Sequence, residues 1–205
     1  MAGIGVRLNR IFEKNTLTTN LVGFFYSTVV TVAPMFVIII NLILMEYLLD
    51  FASVGYVTRE LFSCTILYTF IFSLLTASPF NAVLSRYMSD VIYEERYQDI
   101  LPCYHIGMLL NIGLSCLLGI PFCLWEHFVG KVPTAYVFCG FCGYISLVLV
   151  FYSMIYLSIC KDYQRFSQYF FFGMLVAFVL ALILHFILKW ETTWSMLFSL
   201  TIGFF

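Results

Sequence analysis

The sequence of 205 residues predicts an all-α, polytopic helical membrane protein with five full transmembrane helices and a truncated sixth. Composition is the first observation behind this fold class. Apolar residues make up 62% of the chain and charged residues only 10%, with a mean hydropathy of +0.99, against about 45 to 50% and about 25% in a typical soluble domain. A water-soluble globule of this make-up could not cover its surface, because such proteins keep Lys, Glu, Arg and Asp outside. The second observation is that the charges divide the chain into long uncharged stretches. The third is that no stretch alternates in polarity with a period of two, so a barrel of transmembrane strands is excluded. Lipid demands that every backbone group be satisfied within the segment, which makes each long apolar run a helix. A net charge of −1 leaves no nucleic-acid footprint.

Five runs are long enough to cross. Val22 to Met45 has 24 residues without a charge, Leu61 to Ser85 has 25, Cys103 to Trp125 has 23, Val132 to Cys160 has 29, and Phe166 to Leu188 has 23. About 20 residues at ~1.5 Å rise span a ~30 Å hydrocarbon core. The last run, Thr192 to Phe205, has 14 residues, which at helical rise covers about 21 Å. It reads as a truncated span, and the chain as the N-terminal part of a longer protein. The spans fall at about 22–48, 61–84, 104–127, 134–159 and 166–188, with an incomplete one at 193–205.

Basic residues set the orientation. The N-terminal segment and every second connection after it carry Arg7, Arg10, Lys14, Arg86, Arg96, Lys161 and Arg165, seven in all, against three (Arg59, Lys131, Lys189) on the other side. The positive-inside rule therefore puts the N-terminus in the cytoplasm. Trp125, Trp190 and Trp194 fall at the ends assigned to the outer interface. Residues 1–20 form a separate segment, and 21–205 the helical lobe. Within the first, Ile4, Leu8, Ile11 and Phe12 share one helical face beside Arg7, Arg10 and Lys14, the pattern of an interfacial amphipathic helix on the inner leaflet. The apolar run after it is too long for a cleaved signal.

Catalysis finds few candidates. None of the five runs contains an ionisable group at depth except histidine, whereas an embedded enzyme needs acids, bases or a nucleophile there. The reading is a non-enzyme without cofactor. His105, His127 and His185 are not spaced as a metal site. Cys139 and Cys142 form a C-x-x-C, but with Gly140 and Gly143 inside an apolar helix the pattern reads as close helix packing.

Uncharged polar residues do line up. Ser27, Thr31, Pro34 and Asn41 share a face of the first span, as do Thr65, Thr69, Ser73 and Thr76 in the second. Such stripes either glue helices together or line a hydrated cavity, and both readings stay open here. Pro34 and Pro121 should bend their helices. At the inner side, Ser85 to Leu101 reads as a charged loop in which Arg86 and Asp90 stand at i, i+4; Lys161, Asp162, Tyr163, Gln164 and Arg165 form a second, shorter one.

Specific stretches carry a resemblance. The opening Met1-Ala2-Gly3-Ile4-Gly5, the run Ser85-Arg86-Tyr87-Met88-Ser89-Asp90-Val91-Ile92-Tyr93, and Leu157-Ser158-Ile159-Cys160-Lys161-Asp162-Tyr163 resemble the PelG-type exopolysaccharide transporters, which are related to the polysaccharide flippases of the MOP exporter superfamily. The chain is similar to roughly the first half of such a protein. It departs around Pro34, where Val32-Ala33-Pro34-Met35 stands in place of Ser-Gly-Pro-Trp. The resemblance implies one lobe of a MOP/MATE-like exporter that moves a Pel-like polysaccharide by alternating access. It also implies a glycosyltransferase and other Pel machinery as partners. On that reading Ser27, Thr31, Pro34, Asn41, Thr65, Thr69 and Thr76 line the path, and Arg86, Asp90, Lys161 and Asp162 shape the cytoplasmic mouth. The alternatives are a membrane scaffold of a synthase complex, or a lipid-linked oligosaccharide or multidrug exporter of the same superfamily.

Overall fold

The computed structural model describes residues 36–159 and 163–205. Among them are six α-helices and no strand: α1 Phe36–Leu48, α2 Tyr56–Tyr93, α3 Ile100–Phe128, α4 Thr134–Ile159, α5 Tyr163–Phe186 and α6 Thr192–Phe204. Short 3-10 turns, Phe51–Ser53 and Tyr97–Asp99, lie before α2 and α3. Four helices have the length and composition to cross a membrane: α2, α3, and the stretches Thr134–Met154 and Gln168–Phe186 of α4 and α5. The protein is a polytopic helical membrane protein. The amphipathic segment 1–20, Ser27, Thr31, Pro34, Lys161 and Asp162 lie outside the described residues.

The sequence reading of Ser85 to Leu101 as a loop is corrected by α2, which continues to Tyr93 and has 38 residues. At helical rise that is about 57 Å, nearly twice a hydrocarbon core of ~30 Å, so α2 stands well clear of the lipid at one end. The reason is amphipathicity. Leu84, Met88 and Val91 follow i, i+4, i+7 and bury against Ile100 and Tyr152, while Arg86 and Asp90 stay exposed. Arg86 and Asp90 form no ion pair with each other. A Schellman closure stops the helix: the Arg96 N–H reaches Val91 O at 3.0 Å, the Glu95 N–H reaches Ile92 O at 3.2 Å, and Glu95 takes the left-handed conformation at φ 58°. The helices run on through two prolines, the anticipated Pro121 in α3 and Pro79 in α2. At the other end of the bundle the carbonyl of Pro133 starts α4 by accepting from the N–H groups of Tyr136 and Val137 at 2.9 and 3.1 Å.

α4 is the hub, packing against α2, α3 and α6, while α5 packs mainly against α6. α1 joins at α5 and α6: the Asn41 Nδ2 donates to Met174 O at 2.6 Å, Thr192 Oγ1 donates to Leu49 O at 3.4 Å, and Met45 and Leu49 share a core with Met174, Ala177 and Met196. Lipid tails are as apolar as leucine, so helices here associate through close van der Waals contact rather than hydrophobic burial. Small residues make that contact. Ala177 and Ala181 on α5 and Ser195 and Ser199 on α6 are fully buried, in line with Gly173 and Gly203 at the same four-residue spacing. A Cβ added at Gly173 would stand 2.5 Å from the Gly203 carbonyl oxygen, and one at Gly203 would stand 2.5 Å from the Ala177 Cβ. On α4, Gly140 faces Thr65 of α2 and Gly143 faces Thr201 of α6, so the glycines around the C-x-x-C serve helix packing.

Backbone contact this close leaves no space for a side chain. Gly203→Val should lower stability by about 1 to 3 kcal/mol, seen as a reduced midpoint in thermal unfolding in detergent. Gly113→Ala, where an added Cβ meets nothing within 4 Å, should leave it unchanged or raise it by up to about 1 kcal/mol through helix propensity.

Candidate functional site

Three tyrosines of α4 organise the seam between α2, α3 and α4. Tyr136, Tyr144 and Tyr152 recur every eight residues, a spacing that advances about 80° around a helix of 3.6 residues per turn. Their hydroxyls therefore walk from α2 toward α3. Tyr136 points at Thr65 Oγ1 of α2 at 3.5 Å, Tyr144 meets Thr76 Oγ1 of α2 at 2.8 Å, and Tyr152 donates to the Tyr104 carbonyl of α3 at 3.0 Å. α3 accommodates the rings with small residues. A Cβ at Gly107 would collide with the Tyr152 hydroxyl, and one at Gly119 would stand 2.7 Å from the Phe141 ring and 3.2 Å from that of Tyr144. Tyr104 stacks on Tyr152 with centroids 5.3 Å apart, and its hydroxyl pairs with Ser153 Oγ at 2.7 Å.

The threonines of α2 first satisfy themselves. Thr65 donates to Leu61 O at 2.7 Å and Thr76 to Phe72 O at 2.8 Å, the back-bonding to the preceding turn that hydroxyls adopt inside helices. Each has one proton, so both oxygens act toward α4 as acceptors, and Tyr144 donates to Thr76. Between these two levels lies a cavity of about 280 Å³. Thr65, Tyr68, Thr69 and Phe72 of α2 form one wall, Gly119, Phe122 and Glu126 of α3 another, and Tyr136, Phe141 and Tyr144 of α4 the third. Phe72 of α2 and Phe122 of α3 pack on each other with ring centroids 5.7 Å apart. Glu126 is half-buried, close to the turn into α4. Cys64 and Cys123 also line the space. Beyond the Tyr144 level α3 buries Asn111 and Ser115 completely, and the Ser115 hydroxyl donates to the Asn111 carbonyl at 2.7 Å.

Of the anticipated path residues, the fold gathers Thr65, Thr69 and Thr76 at this seam and sets Asn41 apart, in the contact between α1 and α5. Arg86 and Asp90 lie on the extension of α2, at the opposite end of the bundle from Glu126. Near them Arg96 pairs with Glu94, its Nε donating to Oε2 at 2.7 Å, and with Asp99 at 3.4 Å. The hydrogen bond to Glu94, with the charges of Glu94 and Asp99, raises the Arg96 pKa above its ordinary value. Among the described residues no three His, Cys, Asp or Glu side chains come together as a metal site. The sequence reading missed the α4 tyrosines and the α3 row Gly107, Asn111, Ser115 and Gly119. The signals were present as a Tyr every eight residues and a small or polar residue every fourth.

A model of one protein family matches the chain over residues 1–205, under the description PelG, exopolysaccharide exporter (EPS-E). The chain belongs to the PelG family. No curated protein and no solved structure matches it. For this PelG-family chain the match covers every element described above, including the Tyr and Thr residues of the seam.

The pairing of Tyr144 with Thr76 is open to a double-mutant cycle. Tyr144→Phe and Thr76→Val should each lower stability, and the double variant should show a coupling of about 0.5 to 1.5 kcal/mol, the net worth of one buried hydrogen bond. Thermal unfolding of the four proteins in one detergent measures it; additive effects would mean that the two hydroxyls do not interact.

Proposed function

We propose that this chain forms one helical lobe of an inner-membrane exporter that passes an exopolysaccharide outward by alternating access. The family match across residues 1–205 carries this reading. The charge bias supports an N-terminus in the cytoplasm. The turn from α3 to α4 then faces outward, and the turn from α2 to α3 inward.

In this reading the hydroxyls of Thr65, Thr69 and Thr76 belong to the route along which sugar hydroxyls exchange water for protein partners, and Arg86, Asp90, Lys161 and Asp162 shape the inner mouth. The lobe works with a glycosyltransferase that delivers the growing polymer, and with other subunits of the Pel machinery. The chemistry asked of the lobe is reversible hydrogen bonding without covalent catalysis. Neutral hydroxyls suit that task, because single bonds of about 0.5 to 1.5 kcal/mol hold a chain without trapping it.

The combined substitution Arg86→Ala and Lys161→Ala in the full-length protein should reduce polymer secretion by about tenfold, the effect of roughly 1.4 kcal/mol on a limiting barrier. Secreted polymer is assayed alongside membrane abundance of the protein. Undiminished secretion at equal abundance would remove both residues from the inner mouth. Reconstitution of the full-length protein in liposomes separates transport from a scaffolding role, since a scaffold moves no glycan.

A further inference from the structure

We infer that the cavity between α2, α3 and α4 is a subsite for a single uncharged pyranose ring; this rests on the exporter reading and adds to it a place and a ligand class. The walls and the polar groups of the cavity differ in kind. Aromatic faces from Tyr68, Phe72, Phe122 and Phe141 line it, with Gly119 and Gly140 keeping the surface between them low. A pyranose ring is amphipathic in the same way: its C–H faces pack on aromatic rings, and its rim carries hydroxyls. The rim meets Thr65, Thr69, Tyr136, Tyr144 and the Glu126 carboxylate.

Hydrogen-bonding capacity is available there. The Tyr136 hydroxyl sits 3.5 Å from Thr65 Oγ1, beyond the 2.5 to 3.0 Å of a well-formed O–H···O bond, so its proton can turn to a ligand. Thr65, with its own proton on Leu61 O, offers an acceptor. Glu126 accepts from two neighbouring hydroxyls at once, the strongest type of bond in the set. Charge narrows the class further. No Lys, Arg or His lines the cavity while one carboxylate does, so a uronate or a phosphate is repelled. A lipid tail would offer the carboxylate and hydroxyls no hydrogen-bonding partner.

Two native thiols report on occupancy. Cys64 is exposed and lines the cavity, whereas Cys116, on the same α3 as Glu126, does not line it. The purified full chain in lipid nanodiscs is alkylated with N-ethylmaleimide, and rates at each cysteine are read by mass spectrometry. Methyl β-glucoside and methyl N-acetyl-β-glucosaminide are the neutral probes, methyl glucuronide the anionic one and choline the cationic one. At ten times its Kd a bound sugar leaves roughly one site in ten free and slows alkylation of Cys64 about tenfold, with Cys116 unaffected. Glu126→Gln and Thr69→Val, both close in shape to the native residues, should each abolish or sharply weaken that protection. Protection by no probe, or protection by choline or methyl glucuronide as strong as that by the neutral sugars, overturns the subsite, as does protection that survives both substitutions. The exporter reading is judged separately by polymer secretion: loss of the subsite with secretion dependent on the full-length protein leaves that reading standing, and absence of transport with intact sugar protection removes it.

Discussion

Hydrocarbon offers a polar hydrogen no partner, and that scarcity governs this fold. Each buried hydroxyl must donate to something inside the protein, and the nearest acceptor is the carbonyl one turn back. Thr65, Thr76, Ser115, Ser146 and Ser195 all take it, at 2.7 to 3.1 Å. Having spent its proton locally, such a hydroxyl is left as a pure acceptor toward the neighbouring helix. Tyrosine suits the complementary role, because its hydroxyl stands too far from its own backbone to bond back and must donate outward. The contacts of Tyr144 with Thr76 and of Tyr136 with Thr65 follow from this division between the two residue types.

The same solvent explains why the lobe has two kinds of helix contact. Between α5 and α6 the small residues Gly173, Ala177, Ser199 and Gly203 bring the backbones together until no Cβ fits at either glycine. Dispersion over that dry contact replaces a hydrophobic driving force that lipid does not supply. Between α2 and α3 the facing residues are instead Phe72 and Phe122, whose rings pack on each other. Beside them the glycines and tyrosines of α4 border a space that the described side chains do not fill.

Much of this was legible in the sequence because lipid imposes long periods on composition. Charge-free runs point to the four helices that are long and apolar enough to cross a membrane, and the threonine stripe of the second span named three of the residues that meet at the seam. The boundary of α2 was not legible from charge alone: Arg86 and Asp90 end an uncharged run, but they do not end a helix whose other face carries Leu84, Met88 and Val91. Asn41 shows the limit of a stripe. Its place on a polar face is compatible with either a cavity or a carbonyl of a neighbouring helix, and only the three-dimensional arrangement assigns it to Met174 O. The α4 tyrosines escaped because a period of eight drifts by about 80° per step. Tyr136 and Tyr144 still reach α2, but Tyr152, about 160° from Tyr136, faces α3, and a search for a single stripe passes over a ladder that turns between two partners.

That drift is also what keeps the seam from closing along its whole length. A row of tyrosines on one face would bind α4 to α2 along its whole length and leave α3 to pack where it could. Because the ladder rotates, Tyr144 ties α4 to α2 beneath the cavity, while Tyr152 ties it to α3 one level further on, with Gly107 cleared for its ring. Above Tyr144 the hydrogen bond from α4 to α2 is the long contact of Tyr136 with Thr65, while His127 Nδ1 meets Val132 O at 3.2 Å where α3 turns into α4. Between α2 and α4 the end of the seam near Glu126 is therefore the less firmly bonded one. For the proposed pyranose subsite this has an energetic consequence: a long hydrogen bond gives up little when a ligand replaces it, so binding energy would go into contacts with the sugar rather than into breaking the lobe apart.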